Sequence, residues 1–343
     1  MSLRSRRRAF AFITVWIAAE AGTTAASTQM MRVETNVPAM GGTFAIIAYG
    51  PDATVLRSAT EAAGEEARRL DDIMSNYVPS SEWSEINRDA STKPVRVSVE
   101  MFNLIAACVD YSRQSEGAFD ITVGPLMKVW GFYKGSGHLP HRAEVRTALA
   151  HIGYQNVELN ARDHSVRFLR SGMNIDPGGI GKGYAVDRLI DILKEYGVKS
   201  ALVSAARSSI YALGTPPGEP GWRAQIRDPK DPNKIATEVL LKDESMSTSG
   251  NYEKFFMAEG KLYSHIMDPR TGFPAQGMIQ VSVITPRCID SEAWTKPVYI
   301  QGRHWAANHL PKGFRAYVCE DGQPERGPFT VTRGEKEPCV WLR

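Results

Sequence analysis

Apolar residues recur along this chain at two periods, and each period predicts its own kind of element. From Ala53 to Met74, Leu56, Ala63, Ala67, Leu70 and Met74 fall three, four or seven positions apart, which places them on one face of an α-helix. The same spacing predicts a helix from about Val99 to Ser115, with Phe102, Ile105, Ala106 and Val109 inward. A third begins near Gly183, turns Val186, Leu189, Ile190 and Leu193 inward and stops at Gly197, a residue suited to a helix C-terminus. Strands are predicted at "RVETNVPAMGGTFAIIAYG", "GVKSALVSAARSSIYALG", "GWRAQIRDP" and "GMIQVSVITP", the last with clean alternation. Strands and helices mix without a regular strand-helix-strand period, so the expected class is α+β rather than doubly wound α/β. No repeat, low-complexity segment or obvious interdomain linker interrupts the chain.

Composition refines this picture at the N-terminus. The 343 residues, 43% hydrophobic and 23% charged, are those of an ordinary globular protein, and a formal net charge of +3 gives no argument for nucleic acid. Arg4, Arg6, Arg7 and Arg8 precede an apolar run from Ala9 to Ala19 and then small residues. That order is an export signal over 1–28, compatible with a twin-arginine variant, leaving one domain over 29–343 outside the cytoplasm. An uncleaved membrane anchor is the alternative. No cysteine precedes Cys108, so a lipid-modified N-terminus is not expected. Cys108, Cys288, Cys319 and Cys339 contain no C-x-x-C pair. Export permits disulfides, and Cys319 with Cys339 is the pair to test among three possible pairings.

The stretch "NIDPGGIGKGYAVD", Asn174 to Asp187, carries four glycines before a helix. It is not a P-loop, because Asp176 and Gly183 stand where that motif needs a glycine and a serine or threonine, and it contains no dinucleotide G-x-G-x-x-G after a strand. Glycines at a helix N-terminus still let backbone N–H groups approach a phosphate, and Lys182 adds a cation. A tight turn with Asp176 as N-cap is the plainer reading. A second polar cluster, His265, Asp268, Arg270 and Thr271, crowds a turn in "KLYSHIMDPRTGFPAQG", and a third, Phe119 and Asp120, sits in "SEGAFDITVGPL".

Taken in order, M-G-G-T, M-S-N-Y-V-P-S-S-E with I-N, G-A-F-D-I-T-V-G-P-L, D-P-G-G-I-G-K-G-Y-A-V-D, T-S-G-N-Y and H-I-M-D-P-R-T-G resemble the ApbE-type FAD:protein FMN transferases from about Met40 to Gly272. The resemblance implies an α+β, tunnelling-fold-like architecture. It also implies Mg2+-dependent transfer of FMN from FAD to a threonine or serine of a partner flavoprotein, releasing AMP, outside the cytoplasm. By motif, Met40, Tyr77, Ala118, Phe119, Asp120, Asp176, Lys182 and Ile266 would contact FAD. His265 would deprotonate the acceptor hydroxyl, a task suited to an imidazole. The Gly179 carbonyl would bind the metal.

Two departures from the family pattern stand out. "VSAARSSIYALG" replaces a glycine-rich turn, and "CIDSEAWTKPVYIQG" replaces a segment in which an Asp and, four residues later, a Thr complete the metal site. Counting back from Gly302 puts Glu292 and Lys296 at those two positions; counting from Thr295 puts Ser291 opposite the Asp, with Asp290 one residue out of phase. Glu292, Thr295 and the Gly179 carbonyl are the metal ligands this leaves, with Lys296 standing in for part of the metal's charge. Pro297 is expected to disturb the helix there. Two alternatives follow: an FAD pyrophosphatase giving FMN and AMP, or a catalytically silent FAD-binding protein.

Overall fold

The computed structural model describes residues 29–135, 137–231, 233–321 and 339–343. The export segment expected at 1–28 therefore lies outside the described residues. Eight strands form one antiparallel sheet: β1 (Met31–Ala39), β2 (Gly42–Gly50), β3 (Ser200–Ala205), β4 (Ser209–Leu213), β5 (Glu244–Gly250), β6 (Met278–Thr285), β7 (Arg315–Glu320) and β8 (Cys339–Leu342). They lie side by side in chain order, each pairing with its neighbour in sequence.

Two stretches read as single strands are instead hairpins. In the first, Ala39 faces Gly42 across Met40 (φ 51°) and Gly41 (φ 70°), the left-handed pair that suits a two-residue turn between twisted strands. In the second, Ala205 faces Ser209 across a turn whose Ala206 (φ 48°) and Arg207 (φ 61°) are also left-handed. No glycine or asparagine marks that turn, so the pattern runs through it unbroken.

Helices α1 (Ala53–Met74), α2 (Val99–Gln114), α3 (Gly181–Glu195) and α4 (Cys288–His309) agree with the helical periodicity wherever one was read. Asp52 caps α1, accepting from the amides of Thr54 at 2.7 Å and Val55 at 3.2 Å. Gly197 (φ 78°) ends α3, with the Val198 amide bonded back to the Leu193 carbonyl. The buried residues of α1, α3 and α4 pack with Phe44, Ile46, Val281 and Val283 on one face of the sheet. A hairpin of Trp222–Arg227 and Ile235–Leu241 covers the other face, where Trp222, Ile226, Leu241, Ile284 and Tyr317 cluster.

The stretch "GMIQVSVITP" forms a strand as expected, and this cover lies on both its faces. Every residue of β6 is buried, so its alternation separates two packed layers instead of core from solvent. Its polar members are paired: Ser282 Oγ with Thr248 Oγ1 at 2.7 Å, and Gln280 Oε1 with the Tyr252 hydroxyl at 2.6 Å. Cys319 and Cys339 face each other in the β7–β8 ladder and form a disulfide; Cys108 and Cys288 are free and buried. Among the described residues, no helix is long and apolar enough to cross a membrane.

Candidate active site

The stretch Asn174–Asp187 passes from an extended approach through a single 3-10 turn, Pro177–Gly179, into α3. Its anchor is Asp176, whose carboxylate accepts from Asn76 Nδ2 at 3.0 Å, the Tyr133 hydroxyl at 2.8 Å and the Gly178 amide at 2.8 Å. Burial pushes this carboxyl above its usual range, and the three donors oppose the shift. Asn87 holds the preceding residue at both ends: its Oδ1 accepts from the Ile175 amide at 2.7 Å and its Nδ2 donates to the Ile175 carbonyl at 3.0 Å. Asn87 also donates to Asn76 Oδ1 at 3.2 Å, so the S-N-Y and I-N motifs are the brace of the glycine stretch. Asp187 closes the motif by accepting from the first amides of α4, Cys288 at 2.7 Å and Ile289 at 2.9 Å; burial raises it to about 6.

Gly183 sits where α3 and α4 touch. A Cβ there would lie 2.4 Å from the Cys288 carbonyl oxygen, and its amide donates to the Glu292 carboxylate. Glycine is required here by contact with backbone, since its φ is not in the left-handed region.

These elements wall a cavity of ≈ 630 Å³, within the range of small-molecule sites. Every residue the resemblance assigns to the ligand, metal or acceptor lines it: Met40, Tyr77, Ala118, Phe119, Asp120, Asp176, Gly179, Lys182, His265, Ile266, Glu292 and Thr295. Their conditions differ. Tyr77 is 75% exposed and free to lie against a ring, whereas Phe119 is buried and meets Tyr111 edge-on at 6.0 Å. Asp120 lines the wall, but both carboxylate oxygens accept from the chain itself, from Thr122 N and Oγ1 and from Tyr154 N. It caps the turn at Ile121–Val123 as well as lining the cavity. Asp268 and Arg270 pair at 2.9 Å and hold the turn after His265, so the polar cluster there divides into one cavity residue and a structural pair.

His265 is half-buried, and its Nδ1 donates to the Lys254 carbonyl at 3.2 Å. That bond selects the tautomer with Nε2 free to accept a proton. Burial, together with the Lys254, Lys296 and Lys182 cations, pushes the imidazole down to about 4. Sequence reasoning missed Lys254, Tyr133 and the hydroxyls of Ser247 and Ser249, all on the cavity. Tyr133 and Lys254 belong to no phosphate-binding pattern and reach the site only through the fold.

On α4, the competing alignments resolve. Asp290 is held by Arg287 at 2.7 Å and by the Tyr111 hydroxyl, away from the cavity, and Ser291 hydrogen-bonds to Ser247 Oγ at 2.8 Å. Glu292, Thr295 and Lys296 all line the cavity, whereas Asp290 and Ser291 do not. The helix continues through Pro297 and breaks at Gly302 (φ 80°), while Thr295 Oγ1 at 2.8 Å and Lys296 Nζ at 2.9 Å both donate to the Glu292 carbonyl one turn back.

The span 40–318 matches the model of the ApbE family. The chain belongs to the ApbE family. An FAD:protein FMN transferase of Klebsiella pneumoniae is 33% identical over 233 residues, 66% of this chain and 71% of that protein. One of Treponema pallidum is 31% identical over 245 residues, 67% of each. The ApbE protein of Thermotoga maritima superimposes with a TM-score of 0.79 at 30% identity, covering 85% of this chain and 95% of that one. The apo flavinyl transferase ApbE of Pseudomonas stutzeri gives 0.74 at 28% identity, with 85% and 92% covered. The α+β expectation therefore holds.

The ApbE resemblance brought Mg2+ with it, and the donors here do not fit that ion. Mg2+ takes about six oxygens in a near-octahedral shell. Among the described residues of α4, Glu292 is the one carboxylate that lines the cavity: one oxygen accepts from Gly183 and the other faces Lys296 Nζ at 4.0 Å. Thr295 Oγ1 is fully buried, donating to the Glu292 carbonyl and accepting from Ser249 Oγ at 2.9 Å. Among the described residues, no group of three or more His, Cys, Asp or Glu could hold a metal ion. A fixed ammonium stands beside the carboxylate that would otherwise hold the ion. Burial lowers Lys296 to about 8, with Glu292 opposing and Lys182 adding to the shift.

Proposed function

We propose that this chain moves FMN from FAD onto a threonine or serine hydroxyl of a partner flavoprotein and leaves AMP. The observation that carries the reading is the placing of lysines on the cavity beside the glycine stretch. Lys182, Lys254 and Lys296 line one space with a neutral His265, and among the described residues Lys182 and Lys254 have no ion-pair partner. Carboxylates line the same space, but Lys182 stands at the start of α3 beside the glycine turn, where a diphosphate would meet a cation together with backbone amides. Membership of the ApbE family and relatives named FAD:protein FMN transferases support the same chemistry.

In this reading the acceptor oxygen attacks the phosphorus on the FMN side. The new O–P bond forms as the bond to the bridging oxygen breaks, AMP departs with that oxygen, and the hydroxyl proton passes to His265 Nε2. Catalysis by positioning and charge neutralisation is what phosphoryl-type transfer asks of a protein. The braced glycine stretch offers backbone amides and Lys182 to the phosphates, and Tyr77 offers a face to a ring. No step is routed through Mg2+. The basic, apolar and small residues of 1–28 support export, which would place the acceptor outside the cytoplasm.

The test is product analysis after incubating the chain with FAD and a threonine-containing flavoprotein domain. Flavin on the acceptor together with AMP is expected. Free FMN with AMP, and no flavin on protein, would replace the reading with a pyrophosphatase; intact FAD, with the acceptor shown competent by another transferase, would replace it with a binding protein.

A further inference from the structure

Lys296 occupies an unusual place. Its chain leaves α4 and runs beside the glycine stretch, with Cε 3.5 Å from where a Gly179 Cβ would be. Its ammonium lies 2.9 Å from the Glu292 carbonyl and 4.0 Å from the Glu292 carboxylate. The cation thus sits between the backbone of the 3-10 turn and the carboxylate of α4, with Lys182 close enough to perturb it. An ammonium has three donors, and only one has a hydrogen-bond acceptor here. The others remain for an anion in the cavity.

We propose that Lys296 is the resident cation of this site, so that the chain holds and activates the FAD diphosphate without a divalent metal. The inference rests on the reading that FAD is the substrate and specifies which charge the diphosphate meets. Glu292 then acts as a positioning residue: its carboxylate is joined to the Gly183 amide and its carbonyl accepts the ammonium, which fixes Lys296 against α3. Lys182, Lys254 and Lys296 line the cavity together with five carboxylates, so the positive charge offered to a diphosphate is local to the lysines, and none of it leaves with a chelator. The Ser249–Thr295 hydrogen bond belongs to the same arrangement, since it engages the hydroxyl nearest the pair within the protein.

The experiment is a flavin-fluorescence titration of the full chain with FAD, in EDTA and in excess Mg2+, repeated for Lys296→Met and Lys296→Thr. The native chain is expected to bind FAD within about twofold under both conditions, because surface screening alone distinguishes them. Lys296→Met should lose about tenfold or more in EDTA, the scale of a charged hydrogen bond. Lys296→Thr, which frees Glu292, should bind FAD more tightly with Mg2+ than with EDTA. Native binding abolished by EDTA and restored by Mg2+ would overturn the inference while leaving the transferase reading in place. Absence of FAD binding under either condition would remove both. The native titration requires no variant, so a poorly folded substitution does not decide the matter.

Discussion

The two walls of the cavity reach order by opposite routes. In the glycine wall, a stretch of glycine backbone borders the cavity, and the side chains of Asn76, Asn87, Tyr133 and Asp176 form a closed brace around it. In the α4 wall, charged side chains face the cavity directly, with Lys296 still holding unused donors. A braced backbone presents dipoles that cannot be titrated away, whereas a charged side chain presents a full charge that one substitution removes. The glycine wall carries one of the motifs on which the ApbE resemblance rests, and the α4 wall carries one of the two departures from it.

The sharpest challenge to that contrast comes from the group facing both walls. His265→Ala is expected to lower transfer by about 10² to 10⁴-fold with little change in FAD affinity, measured by single-turnover kinetics beside a binding titration. A base acts deprotonated, so activity falls as pH drops through its pKa. With the imidazole pushed down to about 4, the acid limb of kcat/KM should lie well below pH 6.5. A limb at or above 6.5 would mean that lysines from the two walls do not act on it together.

Where the walls touch, Gly183→Ala should cost about 3 kcal/mol of stability in chemical denaturation, because its Cβ meets backbone. A neutral result would separate the two helices. Next in size, Asn87→Ala should cost about 2 kcal/mol through the buried polar groups of Ile175 that it leaves unpaired, and FAD affinity should fall with stability. A change in one without the other would break the link between brace and backbone. Thr295→Val should cost about 1 kcal/mol of stability and leave FAD affinity unchanged with or without Mg2+, since its hydroxyl serves Ser249 and Glu292. Smallest is Arg207→Gly, expected to raise stability by up to about 1 kcal/mol by relieving a left-handed residue, visible as a shift in denaturant midpoint.

Much of this was legible in the sequence for identifiable reasons. α1, α2 and α3 bury one face each, so their periodicity survives into the structure. Many of the motif residues were legible because they lie in or beside turns of unusual composition, although Lys182 sits in the first turn of α3 and Glu292 and Thr295 on α4. The turn at Ala206 and Arg207 has no glycine to mark it, and β6 was legible as a strand but not as one covered on both faces. Asp120 lines the cavity and also caps a turn, and a short acid beside glycines describes both. Competing alignments of α4 could be settled only by knowing which side of the helix faces the glycine stretch. Tyr133 and Lys254 are brought in by long-range packing that no local pattern encodes.

The plain order of the sheet, each strand beside its sequence neighbour, separates framework from cargo. The brace, the glycine stretch and the histidine turn are all carried on excursions between strands, and β5 is the strand that adds side chains to the cavity. A segment between two strands can therefore lengthen or be exchanged without changing any pairing register. In engineering terms, the molecule is a rack with removable inserts, and the insert before β6, the hairpin Phe255–Ala258 and Lys261–Ser264 leading to His265, is the natural place to graft a different acceptor preference.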